Sequence, residues 1–197
     1  MITTKPQFSI CIPCYQDFRG LAKTIQSLNA CLSTSEVGKF QILVGLNDCD
    51  FGVTQIKCTV GNACRMNLVA HKTDRYLEYD DSILFLLSRV TTEFCILLGC
   101  GETLRLGFLQ SLIEFSNQDT DFGIVPIEII DQPPKLIGKM SHLAKTENYW
   151  WTCERGRFNK VLSGNMFRTA PLHNIMRTSE FLGREWVHVE LSMLEPA

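Results

Sequence analysis

Residues 8–18 read FSICIPCYQDF, and two chemistries compete for them. Cys11-Ile12-Pro13-Cys14 has the C-x-x-C spacing of a thiol–disulfide exchange site or of half a zinc site. The same residues also read as a strand that leaves its sheet at Pro13. Phe8, Ile10 and Ile12 alternate with Cys11 and Pro13, so both faces are apolar, as in an interior strand of a parallel sheet. A reactive first cysteine has to be exposed at a helix start, where the dipole lowers its pKa. Cys11 falls inside the apolar run instead. Zinc needs a second close pair or a histidine couple, and His71, His142, His173 and His188 stand apart from one another. The strand reading is preferred.

Outward from this strand, apolar runs alternate with helical patterns. Phe18, Leu21, Ile25, Leu28 and Leu32 recur at helical steps. FQILVGL (40–46) and a weaker CRMNLVAH (64–71) predict the next strands. Asp80 or Asp81 is placed to cap a helix carrying Ile83, Leu87 and Val90. EFCILLG (93–99) predicts another buried strand, Leu106, Leu109, Leu112 and Ile113 a helix, and FGIVPIEII (122–130) the last regular stretch. A loop-like break is expected over 129–147, around Pro133-Pro134. This alternation predicts an α/β fold of three layers on a mostly parallel central sheet. In such sheets ligands meet the carboxyl ends of the strands, which draws attention to the residues after 13, 46 and 98.

Composition excludes other classes. The 197 residues carry a formal charge of −2 and no block of like charge, so there is no electrostatic footprint for nucleic acid. No apolar run approaches a membrane span, and MITTKPQF lacks a signal peptide's apolar region. The expected location is the cytoplasm, with association at the inner face of a membrane left open. Nine scattered cysteines, several within apolar runs, read as reduced and mostly buried thiols.

Five segments in order then resemble the family 2 glycosyltransferases, which have the GT-A fold: SICIPCYQ (9–16), QILVGLND (41–48), YLEYDDSILFLLSRVTTEFCILLGCGETLRLGFLQSL (76–112), VLSGNMFRTA (161–170) and GREWVHVEL (183–191). The third is most similar to bacterial transferases of deoxysugars and O-antigen sugars, including abequosyltransferase-like proteins. The resemblance implies a single GT-A-like domain over 1–197, with a nucleotide-binding half at 7–130 and a short acceptor-side half at 131–197. It implies a nucleotide-sugar donor, a saccharide or lipid-linked saccharide acceptor, and transfer with inversion. Pro13, Cys14, Tyr15, Asp17, Asn47, Asp48, Asp80 and Ser82 take the nucleotide-binding positions. Ser163, Gly164 and Asn165 fall on the sugar side.

Two departures matter. The second strand ends in Leu46 where the family has an acid, leaving Asn47 and Asp48 just beyond. The family's Asp-x-Asp, which holds Mg²⁺ or Mn²⁺ on the departing diphosphate, is replaced by Gly99, Cys100, Gly101 and Glu102. A hard divalent ion needs oxygen ligands, and only Glu102 remains. Three arrangements fit: Glu102 alone holds the metal, Arg155 and Arg157 neutralise the diphosphate instead, or the chain binds nucleotide or sugar without turnover. For the general base, Glu185 at the start of the late helix is first and His188 second. Trp150 and Trp151 suit either a sugar face or packing.

Overall fold

Phe8 is where the sheet closes. The computed structural model describes residues 5–60, 64–117, 121–124, 127–129, 135–137 and 163–178. Strand β1 (Phe8–Tyr15) pairs in parallel with β2 (Phe40–Asn47) on one side and β4 (Phe94–Leu97) on the other. Their registers place Phe8 opposite both Phe40 and Phe94. The three rings stack, with centroids 4.8 and 5.5 Å apart and planes inclined by 22°. Beside them Gln41 Nε2 donates to Ser9 Oγ at 2.8 Å, and Ser9 shares a 2.7 Å hydroxyl contact with Thr92. These buried polar groups are therefore satisfied.

The six-stranded sheet has the order β3-β2-β1-β4-β8-β5, with β3 at Asn67–Lys72, β5 at Phe122–Ile124 and β8 at Asn165–Arg168. Strand β8 is antiparallel to both β4 and β5; the β1–β2, β1–β4 and β2–β3 pairs are parallel. The expected three-layer, mostly parallel arrangement is what forms. On one face Phe8, Ile10, Ile12 and Cys14 pack with helices α1 (Phe18–Cys31), α2 (Val53–Val60) and α4 (Phe108–Ser116). On the other, Cys11, Leu43 and Leu97 meet α3 (Tyr79–Leu87) and α5 (Thr169–Thr178). Burying each aliphatic side chain of these clusters contributes about 1.5–3 kcal/mol.

Several details differ from expectation. Leu106 lies before α4 and is 84% exposed, so the helix's inner face is set by Leu109, Leu112 and Phe115. The N-cap of α3 is Glu78, and Asp80 and Asp81 occupy its first turn, where a carboxylate meets the positive end of the dipole. The stretch FGIVPIEII is divided. Its first part is β5, whereas β6 (Ile127–Ile129) pairs antiparallel with β7 (Lys135–Ile137) in a separate ribbon. The expected break thus contains a strand immediately after Pro133-Pro134, since proline bars regular pairing only at its own N–H. Strand β8 and helix α5 lie in a segment the periodicity left unassigned. No described helix is long and apolar enough to cross a membrane.

Candidate functional site

The chain passes from β1 to β2 on one side and to β4 on the other, so the strand order reverses at β1. Crevices in open α/β sheets form at such a reversal, beyond the carboxyl ends. Here β1 extends to Tyr15 while its pairing with β4 stops at Cys11 and Leu97, where Leu98 N still donates to Cys11 O at 2.9 Å. Residues 12–15 therefore project past β4 as a step. Strand β2 keeps pace with them, Asn47 lying opposite Tyr15. The turns after β1, β2 and β4 reach one edge of the sheet, as the sequence predicts for the residues after 13, 46 and 98.

Beneath that edge the three turns meet through thiols. Cys14 has Cys100 and Cys49 as neighbours; its Sγ donates to Asp17 O at 3.6 Å, and Cys49 Sγ donates to the Cys14 carbonyl at 3.4 Å. The neighbouring Cys100 thiol, together with burial, holds the Cys14 pKa far above the ordinary thiol value. Burial likewise pushes Cys49 up to about 11. Thiolate chemistry requires the opposite shift. Residues three apart in a strand also point to opposite faces, and Cys11 indeed lies in the α3–α5 layer, away from Cys14. The opening C-x-x-C is packing.

At the surface of the edge, Tyr15 is 54% and Tyr76 50% exposed, their rings edge-on with centroids 5.6 Å apart. Gln16 and Asp48 are the two described non-glycine residues with left-handed backbone, at φ 50° and 49°. They face each other, Gln16 Nε2 donating to Asp48 Oδ2 at 3.1 Å. Such conformations cost energy and cluster at ligand sites. Pro13 stays half-buried opposite Gly45.

Other expected site residues hold the scaffold. Asp17 is the N-cap of α1, its Oδ1 accepting from Gly20 N at 2.8 Å. Asn47 is 6% exposed and clamps the loop after β3: its Nδ2 donates to Leu77 O and its Oδ1 accepts from Leu77 N, both at 2.8 Å. Thr73 fastens the same loop by donating to Leu46 O. Asp80 is buried in the first turn of α3, and the Ser82 hydroxyl donates to Tyr79 O at 2.8 Å. Tyr76 was missed by the sequence reading. An aromatic residue in a polar run such as HKTDRYLEYDD is the signal that marks it.

Glu102 and Ser163, 61 positions apart in the chain, come together beside the paired strands β4 and β8. Ser163 Oγ donates to Glu102 Oε1 and accepts from Gly99 N at 2.7 Å. A Cβ at Gly99 would lie 2.8 Å from Glu102 Oε1, so any larger residue there would make the carboxylate shift. The loop carrying Glu102 is tied to α1 through Thr24 Oγ1, which donates to Glu102 O at 3.2 Å, and Ser27 Oγ, which accepts from Leu104 N at 2.7 Å. Gly164 N donates to Leu97 O at 2.9 Å, and Asn165 is fully buried in β8. Arg155, Arg157, Glu185, His188, Trp150 and Trp151 lie outside the described residues.

Burial raises the Glu102 pKa, and the Ser163 hydrogen bond opposes that shift. Between the ordinary carboxylate range and the raised folded value, the native state binds more protons than the unfolded chain. Stability therefore falls as pH rises through that window, and the penalty is complete above it. Glu102→Gln keeps an oxygen facing Ser163 without the charge. Urea midpoints of variant and parent should agree at acid pH, with the variant higher at neutral pH. A variant less stable than the parent at pH 7 would contradict the assignment.

One carboxylate, already engaged by Ser163, does not make a divalent site. Among the described residues no group of three or more His, Cys, Asp or Glu side chains is arranged to hold a metal.

Solved structures share this architecture. Residues 1–349 of S. aureus TarS superpose with a TM-score of 0.69 at 14% identity, covering 96% of this chain and 56% of that one. The fold is that of the GT-A glycosyltransferases. A mannosyltransferase from Pyrobaculum calidifontis, PcManGT, in complex with GDP-Man and Mn²⁺, gives 0.65 at 10% identity over 98% of this chain and 54% of that one. TarS 1–349 in complex with UDP-GlcNAc gives 0.60 at 15% identity over 85% and 46%. The chain thus spans about half the length of these GT-A neighbours. No protein-family model matches the sequence, and no curated protein matches it significantly.

Proposed function

We infer that this GT-A domain binds a nucleotide-activated sugar, with its base over the Tyr15–Tyr76 pair and its ribose toward Gln16 and Asp48. The observation that carries this is the left-handed pair Gln16 and Asp48 at the strand-order reversal, with exposed aromatic rings beside it. An aromatic platform covers a base face, while an exposed carboxylate accepts from ribose hydroxyls. The neighbours crystallised with UDP-GlcNAc and with GDP-Man support a donor of this class. Within that reading the chain is a family 2 glycosyltransferase-like protein, similar in motif to the bacterial abequosyltransferase and O-antigen sugar transferases. It passes a glycosyl unit to a saccharide or lipid-linked saccharide with inversion. Glu185, with His188 second, takes the acceptor proton.

The PcManGT complex holds Mn²⁺, but the described residues of this chain do not fit such an ion. The proposal therefore commits to donor binding independent of metal, with diphosphate charge met by Arg155 and Arg157. A second reading, a GT-A protein that binds donor without turnover, is favoured by the engagement of Glu102 with Ser163. Thermal-shift measurements against UDP-, GDP-, dTDP- and CDP-sugars, each with and without Mn²⁺, test this. Stabilisation by one of them, unchanged by Mn²⁺ and lost in Tyr15→Ala, is expected. Enhancement by Mn²⁺ would return Glu102 to a metal role, and no stabilisation at all would overturn donor binding. Hydrolysis of the bound sugar nucleotide separates the transferase from the binding-only protein.

A further inference from the structure

A second concavity lies at the outer edge of the sheet. It is an open cleft of about 670 Å³ between β3 and α3. Among the residues lining it are Lys72, Arg75 and Arg89, with His71, Phe85 and one acid, Asp74. No residue of β1, β2 or β4 lines it, and it reaches the candidate donor site only through the loop after β3, where Arg75 and Leu77 flank Tyr76. We propose that this cleft binds the phosphoryl group of an anionic ligand, a phosphate ester or diphosphate.

Three observations carry it. First, the cations are concentrated against the trend of the chain, whose formal charge is −2. Three permanent positive charges face one carboxylate, and mutual repulsion of this kind is relieved by a bound anion. Second, the described ion pairs both involve Arg168, with Glu93 and with Asp121. Among the described residues no carboxylate lies within ion-pair distance of Lys72, Arg75 or Arg89. Third, among the described strands β3 ends the sheet and pairs with β2 alone. Alternate backbone N–H groups of an edge strand face outward without a ladder partner, and Ala70, His71 and Lys72 all line the cleft.

The geometry of Arg89 adds to this. It lies in the turn that closes α3, where its backbone N–H donates to Leu86 O at 3.1 Å, and its guanidinium stacks over the Phe85 ring at 4.9 Å. Stacking fixes the plane of the fork while leaving its N–H edge free, the arrangement that suits two-point binding of phosphate oxygens. Lys72, at the carboxyl end of β3, supplies a mobile point charge from the facing wall.

Phosphate of this kind is presented either by a small molecule in solution or by a lipid headgroup, and two measurements distinguish them. Calorimetric titration with inorganic pyrophosphate reports the first. Co-sedimentation with phosphatidylcholine vesicles, with and without phosphatidic acid, reports the second. Binding in either arm is expected to weaken about tenfold or more in Lys72→Gln/Arg89→Gln, as expected for loss of two charge-assisted contacts. Asp74→Asn should tighten it about 2–5-fold, the range of one exposed charge pair. Urea unfolding of each variant verifies that these exposed side chains leave the fold intact. Binding in neither arm, binding indifferent to the double substitution, or a loss of affinity in Asp74→Asn would overturn the proposal. Donor stabilisation is read separately by thermal shift: its loss in Tyr15→Ala and its retention in Lys72→Gln/Arg89→Gln distinguish the donor site from the cleft.

Discussion

Phe8→Ala is expected to lower the unfolding free energy by about 3–5 kcal/mol, the range for truncating a buried phenylalanine. The ring is 1% exposed and lies between Phe40 and Phe94, which are equally buried. Its removal opens a cavity at the amino ends of three parallel strands and ends two stacking contacts, each worth about 0.5–1.5 kcal/mol beyond area burial. Neighbouring atoms cannot close the gap readily, because all three rings are held by backbone pairing in register. Domains of ordinary stability have about 5–15 kcal/mol to lose, so the variant should approach instability at 37 °C. Phe8→Leu retains most of the volume and should cost markedly less. Equilibrium urea unfolding, with the midpoint and slope fitted together, measures both. A midpoint within experimental error of the parent for Phe8→Ala would show that the sheet does not close on this stack.

Asn47→Ala is expected to cost about 2–4 kcal/mol and to abolish stabilisation by a sugar nucleotide. The side chain is the partner of both backbone groups of Leu77, and leaving a part-buried donor and acceptor unpaired costs about 1–3 kcal/mol each. The loop it holds carries Tyr76, half of the aromatic pair at the candidate site. Asn47→Asp separates clamping from direct recognition. An aspartate oxygen still accepts from Leu77 N but has no N–H for Leu77 O, so its stability loss should be smaller and donor binding partly kept. If Asn47 instead contacts the ligand through its amide, Asn47→Asp should lose binding with little loss of stability. Urea unfolding and thermal shift with the donor, measured on the same three proteins, decide between them.

Much of the frame is legible in the sequence. The two-faced apolar run of β1 and the three- and four-residue spacing of α1 are local patterns, and the buried sets match them: Ile10 and Ile12 on one face, Cys11 on the other, and Leu21, Ile25 and Leu28 inward. Strand β8 escaped because four residues are too few to establish a period, and its neighbours β4 and β5 are remote in the chain. At the candidate site, motif positions located the right turns but not the work of each side chain. Asp17, Asn47 and Ser82 spend their hydrogen bonds on a helix cap, a loop clamp and a helix turn. Tyr76, which opens the third family-like segment but was given no site role, joins Tyr15 at the surface.

The amino-acid order alone determines the alternation of strand and helix, because side-chain periodicity follows from backbone geometry within a few residues. It also determines that Glu102 is the one carboxylate among residues 99–102 after β4, since glycine carries no ligand atom. What only the folded chain decides is partnership at a distance. Asn47 meets Leu77 across 30 positions, Glu102 meets Ser163 across 61, and the cations at the end of β3 and beyond the end of α3 line one cleft. Hydrogen bonds and fields act through space over a few ångströms, and no local pattern records which remote residues the sheet brings within that reach.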